Sequence, residues 1–219
     1  MRLFDEVTHD QKTTLLEVGE RRVFPNRALL IRQDDSPNGI FIILSGVVES
    51  IYFSDVGRDL RLARWSKHDF VGAPHIFGTV PQRWSACAVG SVEALHLSQN
   101  NLRGLIASDP NFTEKLIICL GDKGDKYSRL AQNLAFHTVS QRLAHALVSA
   151  YYTSQEQLLW RASPLELSRE IGSTRQAVGA ILKVYEKDGL ITRQRDSISV
   201  LNVPELRKLA GIDPAENHH

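Results

Sequence analysis

The sequence predicts an α+β protein in three parts: a run of short strands, one long helix, and a helical region that ends in a β-hairpin. Three observations predict it. Between about Ala28 and Leu97, short apolar runs alternate with turn signals. From about Asn111 to Ala135 the apolar spacing becomes helical. From Thr138 onward it stays mostly helical, punctuated by glycines. The bulk numbers fit a soluble globular chain: 219 residues, 42% hydrophobic, 23% charged, net charge +1. No stretch of about 18 apolar residues exists, so no membrane span is expected. The N-terminus, MRLFDEVTHDQKTTLL, lacks a basic region followed by an apolar stretch, which predicts no secretory signal and a cytoplasmic location.

The candidate strands are Ala28–Gln33, Ile40–Leu44, Val47–Phe53, Leu60–Arg64, Ser85–Val89 and Ala94–Leu97. The turns between them include Asp34–Gly39, Ser45–Gly46, Ser54–Gly57 and Val89–Ser91. Many short strands at this spacing predict a β-barrel or jelly roll.

Asp109–Pro110 is a helix start signal. Beyond it Leu116, Leu120, Lys123, Tyr127, Leu130 and Leu134 recur in alternating steps of four and three. That stripe suits a coiled-coil dimer and, equally, a helix packed on its own domain. Lys123 breaks it, and Gly121 and Gly124 each cost the helix about 1 kcal/mol relative to Ala.

The most informative segment is Ser163–Lys183. Ser163 suits an N-cap, Pro164 the first helical position, and Glu166 completes a capping box. Leu167 and Ile171 give this short helix an inner face, and Gly172 supplies a tight turn. Ser173 is expected to cap a second helix, with Gln176 as its capping-box partner. Val178, Ile181, Leu182 and Tyr185 form the buried stripe of that helix. Two short helices joined by a Gly turn make a helix-turn-helix. Leu190–Arg193 and Ser197–Leu201 then read as a hairpin around Gln194–Asp196, a wing. Ser173, Thr174, Arg175, Gln176, Gly179 and Lys183 are the expected DNA-facing residues of the second helix. Arg suits guanine and Gln suits adenine in the major groove. Arg193 and Arg195 are placed for phosphates. Five basic residues face two acidic ones between Arg175 and Arg195. Taken alone, the same pattern also suits a helical hairpin with a solvated basic face.

Other constellations carry less. Cys87 and Cys119 are far apart in apolar surroundings and read as buried reduced thiols. Two cysteines are too few for an iron–sulfur cluster. A haem would need an axial ligand, for which His75, with His68 and His96 nearby, is the candidate; ordinary histidines are the reading preferred. The terminal His218-His219 is not read as a metal site. No nucleophile-elbow, zincin or GxxxxGK[ST] spacing occurs, so no enzyme is expected.

With these residues in view, the chain resembles the CRP/FNR family, relatives of the bacterial cyclic-AMP receptor, over nearly its whole length. The resemblance rests on Gly39-Ile-Phe-Ile-Ile-Leu-Ser-Gly46, on Asn133-Leu-Ala-Phe136 followed by Arg142-Leu-Ala144, and on Ser173–Lys183. It implies a cyclic-nucleotide-binding-like sensor barrel at 1–108, a dimerisation helix at 109–136 and a winged helix-turn-helix DNA-binding domain at 137–219. It also implies a homodimer on double-stranded DNA, and a contact of the Gln155–Arg161 loop with RNA polymerase. Gly72, Ala73, Arg83, Trp84, Ser85, Tyr127 and Ser128 would line the effector pocket.

Departures from the family matter equally. Ala73 stands where cyclic-nucleotide binders carry a ribose-binding Glu, and Trp84 follows Arg83 where a small hydroxyl residue is usual. Tyr127 is bulkier than the family's Thr. These departures imply a pocket that is either vacant or takes a small effector other than cyclic AMP. On the recognition helix, Gln176 and Ala180 replace a Glu and a second Arg, which implies a different half-site. The competing expectation is a ligand-binding regulatory module without DNA binding.

Overall fold

The computed structural model describes residues 2–56, 58–72, 77–153, 159–160, 163–194 and 197–212, with backbone alone for Leu159 and Trp160. In chain order the elements are α1 (Leu3–Glu6), α2 (His9–Val18), β1 (Glu20–Phe24), β2 (Leu29–Ile31), β3 (Ile40–Tyr52), β4 (Leu60–Ser66), β5 (Phe70–Val71), β6 (Ser85–Leu97), α3 (Gln99–Ser108), α4 (Pro110–Phe136), α5 (Val139–Thr153), β7 (Leu159–Trp160), α6 (Pro164–Ile171), α7 (Arg175–Lys187), β8 (Ile191–Gln194), β9 (Ser197–Val200) and α8 (Val203–Ala210). They form two compact units: Met1–Phe53 with Arg61–Arg129, and Ser54–Leu60 with Leu130–His219.

The first unit holds one six-stranded sheet, ordered β1-β6-β3-β4, with β2 also on β6 and β5 on β3. Among the described residues the pairing does not close, so in place of the expected closed barrel there is an open sheet. The expected strands also merge. Ile40–Leu44 and Val47–Phe53 belong to β3, and Ser85–Val89 and Ala94–Leu97 belong to β6. The pairing runs from Ile40↔Leu97 to Ile43↔Ala94, shifts register around Ser45, and resumes from Val47↔Val89 to Ile51↔Ser85. Gly46 is thus a bend within a strand rather than an end. Its φ of 85° and a Ser91 carbonyl only 2.4 Å from where a Cβ would lie require glycine there.

Alternation along β3 and β6 explains their continuous apolar runs. Ile40, Ile42, Leu95 and Leu97 pack with Leu3, Leu15, Leu102 and Phe112 of the helices. Phe41, Ile43, Val92 and Ala94 pack with Trp65, Ala86 and Ala88 in a second cluster. Both faces are buried, so neither needs polar residues. Leu116 and Cys119 of α4 join the first cluster, and Tyr127 packs on the second. This part of the expected stripe is therefore occupied within its own chain.

In the second unit, Leu143, Leu147, Leu167, Val178, Leu182 and Tyr185 form a single core with the wing residues Ile191, Ile198 and Val200. The wing has three strands, ordered β7-β9-β8. The expected hairpin is present, from Ile191↔Val200 to Gln194↔Ser197. The third strand, Leu159–Trp160, comes from the segment expected to be the Gln155–Arg161 loop; residues 154–158 and 161–162 of that segment lie outside the described residues. Among the described residues, no helix is long and apolar enough to cross a membrane.

Candidate nucleic-acid interface and effector pocket

The helix-turn-helix is built from local chemistry. Ser163 Oγ accepts from the Glu166 N–H at 3.2 Å, and the Ser163 N–H donates to Glu166 Oε2 at 2.7 Å. This reciprocal box, with Pro164 at the first turn, fixes where α6 begins and is worth about 1 kcal/mol. Gly172 ends the helix at φ 61°, a left-handed conformation that glycine adopts without strain. The cap of α7 differs from expectation: Thr174 is the N-cap, its Oγ1 accepting from the Ala177 N–H at 3.1 Å. Ser173 is 5% exposed, with its N–H bonded to Ser168 O at 2.9 Å. It belongs to the turn and is not on the exposed face. Because the cap lies one residue later, Gln176 falls at the second helical position and makes no capping box. Its side chain is left on the surface.

The outward face of α7 carries Arg175, Gln176, Ala180 and Lys183, all exposed, with Gly179 among them half-buried. A Cβ at Gly179 would meet nothing within 4 Å, so no packing inside the chain demands glycine there. A bare backbone on this face permits close approach of a partner. Tyr185 anchors the opposite face, its hydroxyl donating to Ser140 O at 2.8 Å.

Arg193 does not stand free for phosphates. Its Nε and a terminal nitrogen fork onto Glu186 Oε2 at 2.9 and 2.5 Å, and its N–H reaches Glu186 Oε1 at 3.2 Å. The Arg193 guanidinium holds the Glu186 carboxyl below its usual range. This pair pins β8 to the last turns of α7. Arg195 lies outside the described residues.

The expected effector-pocket residues separate. Gly72, Trp84 and Tyr127 meet at one cavity with Trp65, Phe70 and Lys123, but its volume is only about 10 Å3, room for roughly one water. Tyr127 lies 5.7 Å from Trp84 and 6.4 Å from Trp65, centroid to centroid. Lys123 Nζ sits 3.4 Å over the Trp65 ring and 4.3 Å from that of Phe70, and donates to Phe70 O at 2.8 Å. Burial lowers the Lys123 ammonium to about 7, with Asp69 opposing the shift, and raises the Tyr127 phenol to about 12. Arg83 and Ser128 are exposed, so neither lines this cavity. Ser85 is buried with its Oγ accepting from the Gln33 N–H at 2.9 Å. Ala73 and His75 lie outside the described residues. His96 stacks on Phe41 and contacts Asn38 O at 2.7 Å, and His68 pairs with Asp5.

Sequence reasoning missed Lys123, Trp65 and Gln82. Only Lys123 left a signal, as the charged residue on an otherwise apolar stripe. Gln82, beside the expected Arg83, is 2% exposed.

Comparison with known proteins bears on both sites. Residues 21–109 match the cyclic nucleotide-binding domain family, and residues 141–209 match the Crp-like helix-turn-helix domain family. The chain is 26% identical over 184 residues to the cAMP-activated global transcriptional regulator CRP of Pasteurella multocida, covering 81% of this chain and 88% of that one. It is 26% identical to the regulator Vfr of Pseudomonas aeruginosa, covering 84% and 92%. Among solved structures, a CRP/FNR family regulator from Eubacterium rectale superposes with TM-score 0.82 at 15% identity, over 96% of this chain and 98% of the other. The c-di-GMP responsive regulator CLP of Xanthomonas campestris gives 0.80 at 23% identity, over 89% and 100%. With an N-terminal cyclic nucleotide-binding domain and a C-terminal Crp-like helix-turn-helix in one chain, and relatives matched across both, this protein belongs to the CRP/FNR family of DNA-binding transcription regulators.

Proposed function

We propose that the chain works as a homodimer whose two α7 helices read an inverted repeat in duplex DNA, under control of a small effector other than cyclic AMP bound by the N-terminal unit. The observation that carries the DNA reading is the exposed Arg175, Gln176 and Lys183 face on a helix whose other side is fully buried. Arg175 suits a bidentate contact with guanine and Gln176 with adenine. Ala180 offers no base acceptor or donor, so the half-site departs from TGTGA. Half-sites lie about one helical turn, roughly 34 Å, apart. Lys183 contacts phosphate. Selection on random duplexes tests the specificity: an inverted repeat with an altered core supports it, and recovery of an unaltered TGTGA core overturns it. Arg175→Ala should weaken binding by about 1–3 kcal/mol while leaving the melting temperature unchanged.

Two observations support an effector other than cyclic AMP. The cavity that Gly72, Trp84 and Tyr127 share is closed by aromatic rings and by Lys123, and Ala73 has no acceptor for a ribose hydroxyl. CRP and Vfr are described as cAMP-activated and CLP as c-di-GMP responsive, so calorimetry with cyclic AMP, cyclic GMP and c-di-GMP is the direct test. Sub-micromolar binding of cyclic AMP would overturn this part alone, whereas binding of another of these nucleotides would identify the effector. A contact with RNA polymerase through residues 155–161 belongs to the same reading. In vitro transcription with charge-reversed variants of that segment checks it.

A further inference from the structure

We propose that the N-terminal unit binds a small aromatic anion in a second cavity, walled by Arg22, Arg32, Phe41 and Gln82, that shares no residue with the closed pocket beside α4. This cavity has a volume of about 290 Å3, at the lower end of small-molecule sites. It opens between β1, β2 and the start of β3. Leu29 and Ile31 supply apolar wall, and Phe41, 6% exposed, a flat aromatic one. Phe41 is held in place by edge contact with Phe24 at 5.7 Å and by stacking on His96 at 4.6 Å.

The polar groups give the ligand its chemistry. The Arg22 guanidinium stands 6.0 Å over the Phe41 ring, and a terminal nitrogen donates to exposed Glu20 at 2.6 Å. Arg32 is exposed on the same cavity, where Asp35 is the one carboxylate of the lining. The two guanidiniums face Asp35 in the lining and Glu20 beside Arg22, so it is their forked donors rather than a net positive charge that favour an anion. Gln82 adds a demand of its own. Its backbone is fixed at both ends, the N–H donating to Asp35 O at 2.9 Å and the carbonyl accepting from the Asp34 N–H at 2.8 Å. Its Nε2 reaches Gly72 O at 3.5 Å, whereas its buried Oε1 has no hydrogen-bond partner among the described residues. A buried acceptor left unmade costs about 1–3 kcal/mol. A ligand hydroxyl or ring N–H would supply the missing donor. The ligand class is therefore a flat ring bearing a carboxylate or phosphate and at least one donor: the ring packs against Leu29 and Ile31 beside the small exposed part of Phe41, the anion meets Arg22 and Arg32, and the donor meets Gln82.

The use of this cavity to control DNA binding rests on the effector-governed reading above. The test reads the cavity alone, so the two fail separately. Isothermal titration uses adenosine 5′-monophosphate, 4-hydroxybenzoate and inorganic phosphate on the full chain. Binding of a ring-bearing anion, at least tenfold tighter than phosphate, is expected. The nucleotide and the benzoate arms tell a phosphate head from a carboxylate head. Arg22→Gln and Arg32→Gln should each weaken that binding at least tenfold, and Arg83→Gln should leave it unchanged. No heat from either ring-bearing anion at millimolar concentration overturns the proposal, as does binding that both arginine variants retain. Gln82→Leu supplies a readout without ligand. If the amide oxygen serves a ligand, removing it raises the melting temperature of the free protein. A lowered melting temperature makes Gln82 a structural residue and overturns its assigned role.

Discussion

Lys123 is the residue whose chemistry departs furthest from its surroundings. Its ammonium is buried between two aromatic faces and a carbonyl, and its folded value of about 7 stands well below the 10.5 of an exposed lysine. Desolvation is the leading cause; Asp69 pulls the other way and Lys126, whose Nζ lies 4.6 Å over the same Trp65 ring, adds to it. Between pH 7 and the lysine's ordinary range, the unfolded chain holds a proton that the folded chain has released. Unfolding then takes up a proton, so stability rises with pH across that window. Below pH 7 both states carry the proton, and the cost of burying the charge is constant. Urea unfolding at a series of pH values should show the wild-type chain gaining on Lys123→Met between pH 7 and 9, by up to about 1.4 kcal/mol per unit. Equal pH dependence in the two proteins would show that Lys123 keeps its proton throughout. The same ammonium and rings fill the space that a ligand beside α4 would need, so this residue bears on specificity as well as on stability.

At the scale of elements, α4 poses the clearest question, because its two faces are used differently. Leu116, Cys119, Lys123 and Tyr127 turn toward their own unit. The face one step round the helix presents Ile117, Gly121, Gly124 and Ser128 to solvent, with Ile117 61% exposed. A Cβ at either glycine would meet nothing within 4 Å. Two interior glycines thus cost this helix about 2 kcal/mol relative to Ala with no packing return among the described residues. In the proposed homodimer, close approach of a second α4 would give them a purpose. Ile117→Glu should shift the chain to monomer in sedimentation equilibrium with its circular dichroism unchanged, and a persistent dimer would place the seam elsewhere. From Leu116 to Tyr127 the four-and-three periodicity in the sequence marks a face covered within the chain, because an apolar stripe reads the same whatever covers it. Local chemistry was easier to read. The Ser163 box and the Gly172 turn are set by hydrogen bonds within four residues, and so were legible. The α7 cap shifted from Ser173 to Thr174 because both hydroxyls suit the role, and the turn buries the first. The merging of strands at Gly46 was illegible, since the bend in β3 depends on a register shift against β6, between the pairs Ser45↔Glu93 and Val47↔Val89, far away in sequence.

At the scale of the whole molecule, the same division explains which candidate residues could be read. The α7 face follows from one helix, so Arg175, Gln176 and Lys183 were visible. The aromatic pocket joins β4, β5, the residues before β6 and α4, so its closure by Lys123 was not. Charge follows the same division between local and global. The chain as a whole carries only +1, so any attraction to DNA comes from the recognition face and not from the net field. The salt dependence of binding should therefore respond to individual side chains, and to different degrees. Lys183 is exposed with no hydrogen bond or ion pair among the described residues. Lys183→Gln should lower the slope of log affinity against log salt by about one, the signature of one lost phosphate contact. Arg193 is already committed to Glu186 through a forked pair, both side chains about a third exposed. Arg193→Gln should leave the salt slope nearly unchanged and instead loosen the wing, at a stability cost within the 0–1 kcal/mol of a surface pair. Glu186→Gln supplies the converse. It releases the guanidinium toward DNA, so the salt slope should steepen while stability falls by a similar amount. Fluorescence anisotropy on one operator duplex from 50 to 300 mM salt, roughly the range over which phosphate contacts are resolved, measures all three. If Arg193→Gln flattens the slope as much as Lys183→Gln does, the wing arginine leaves Glu186 on binding, and the fork is a resting contact rather than a brace.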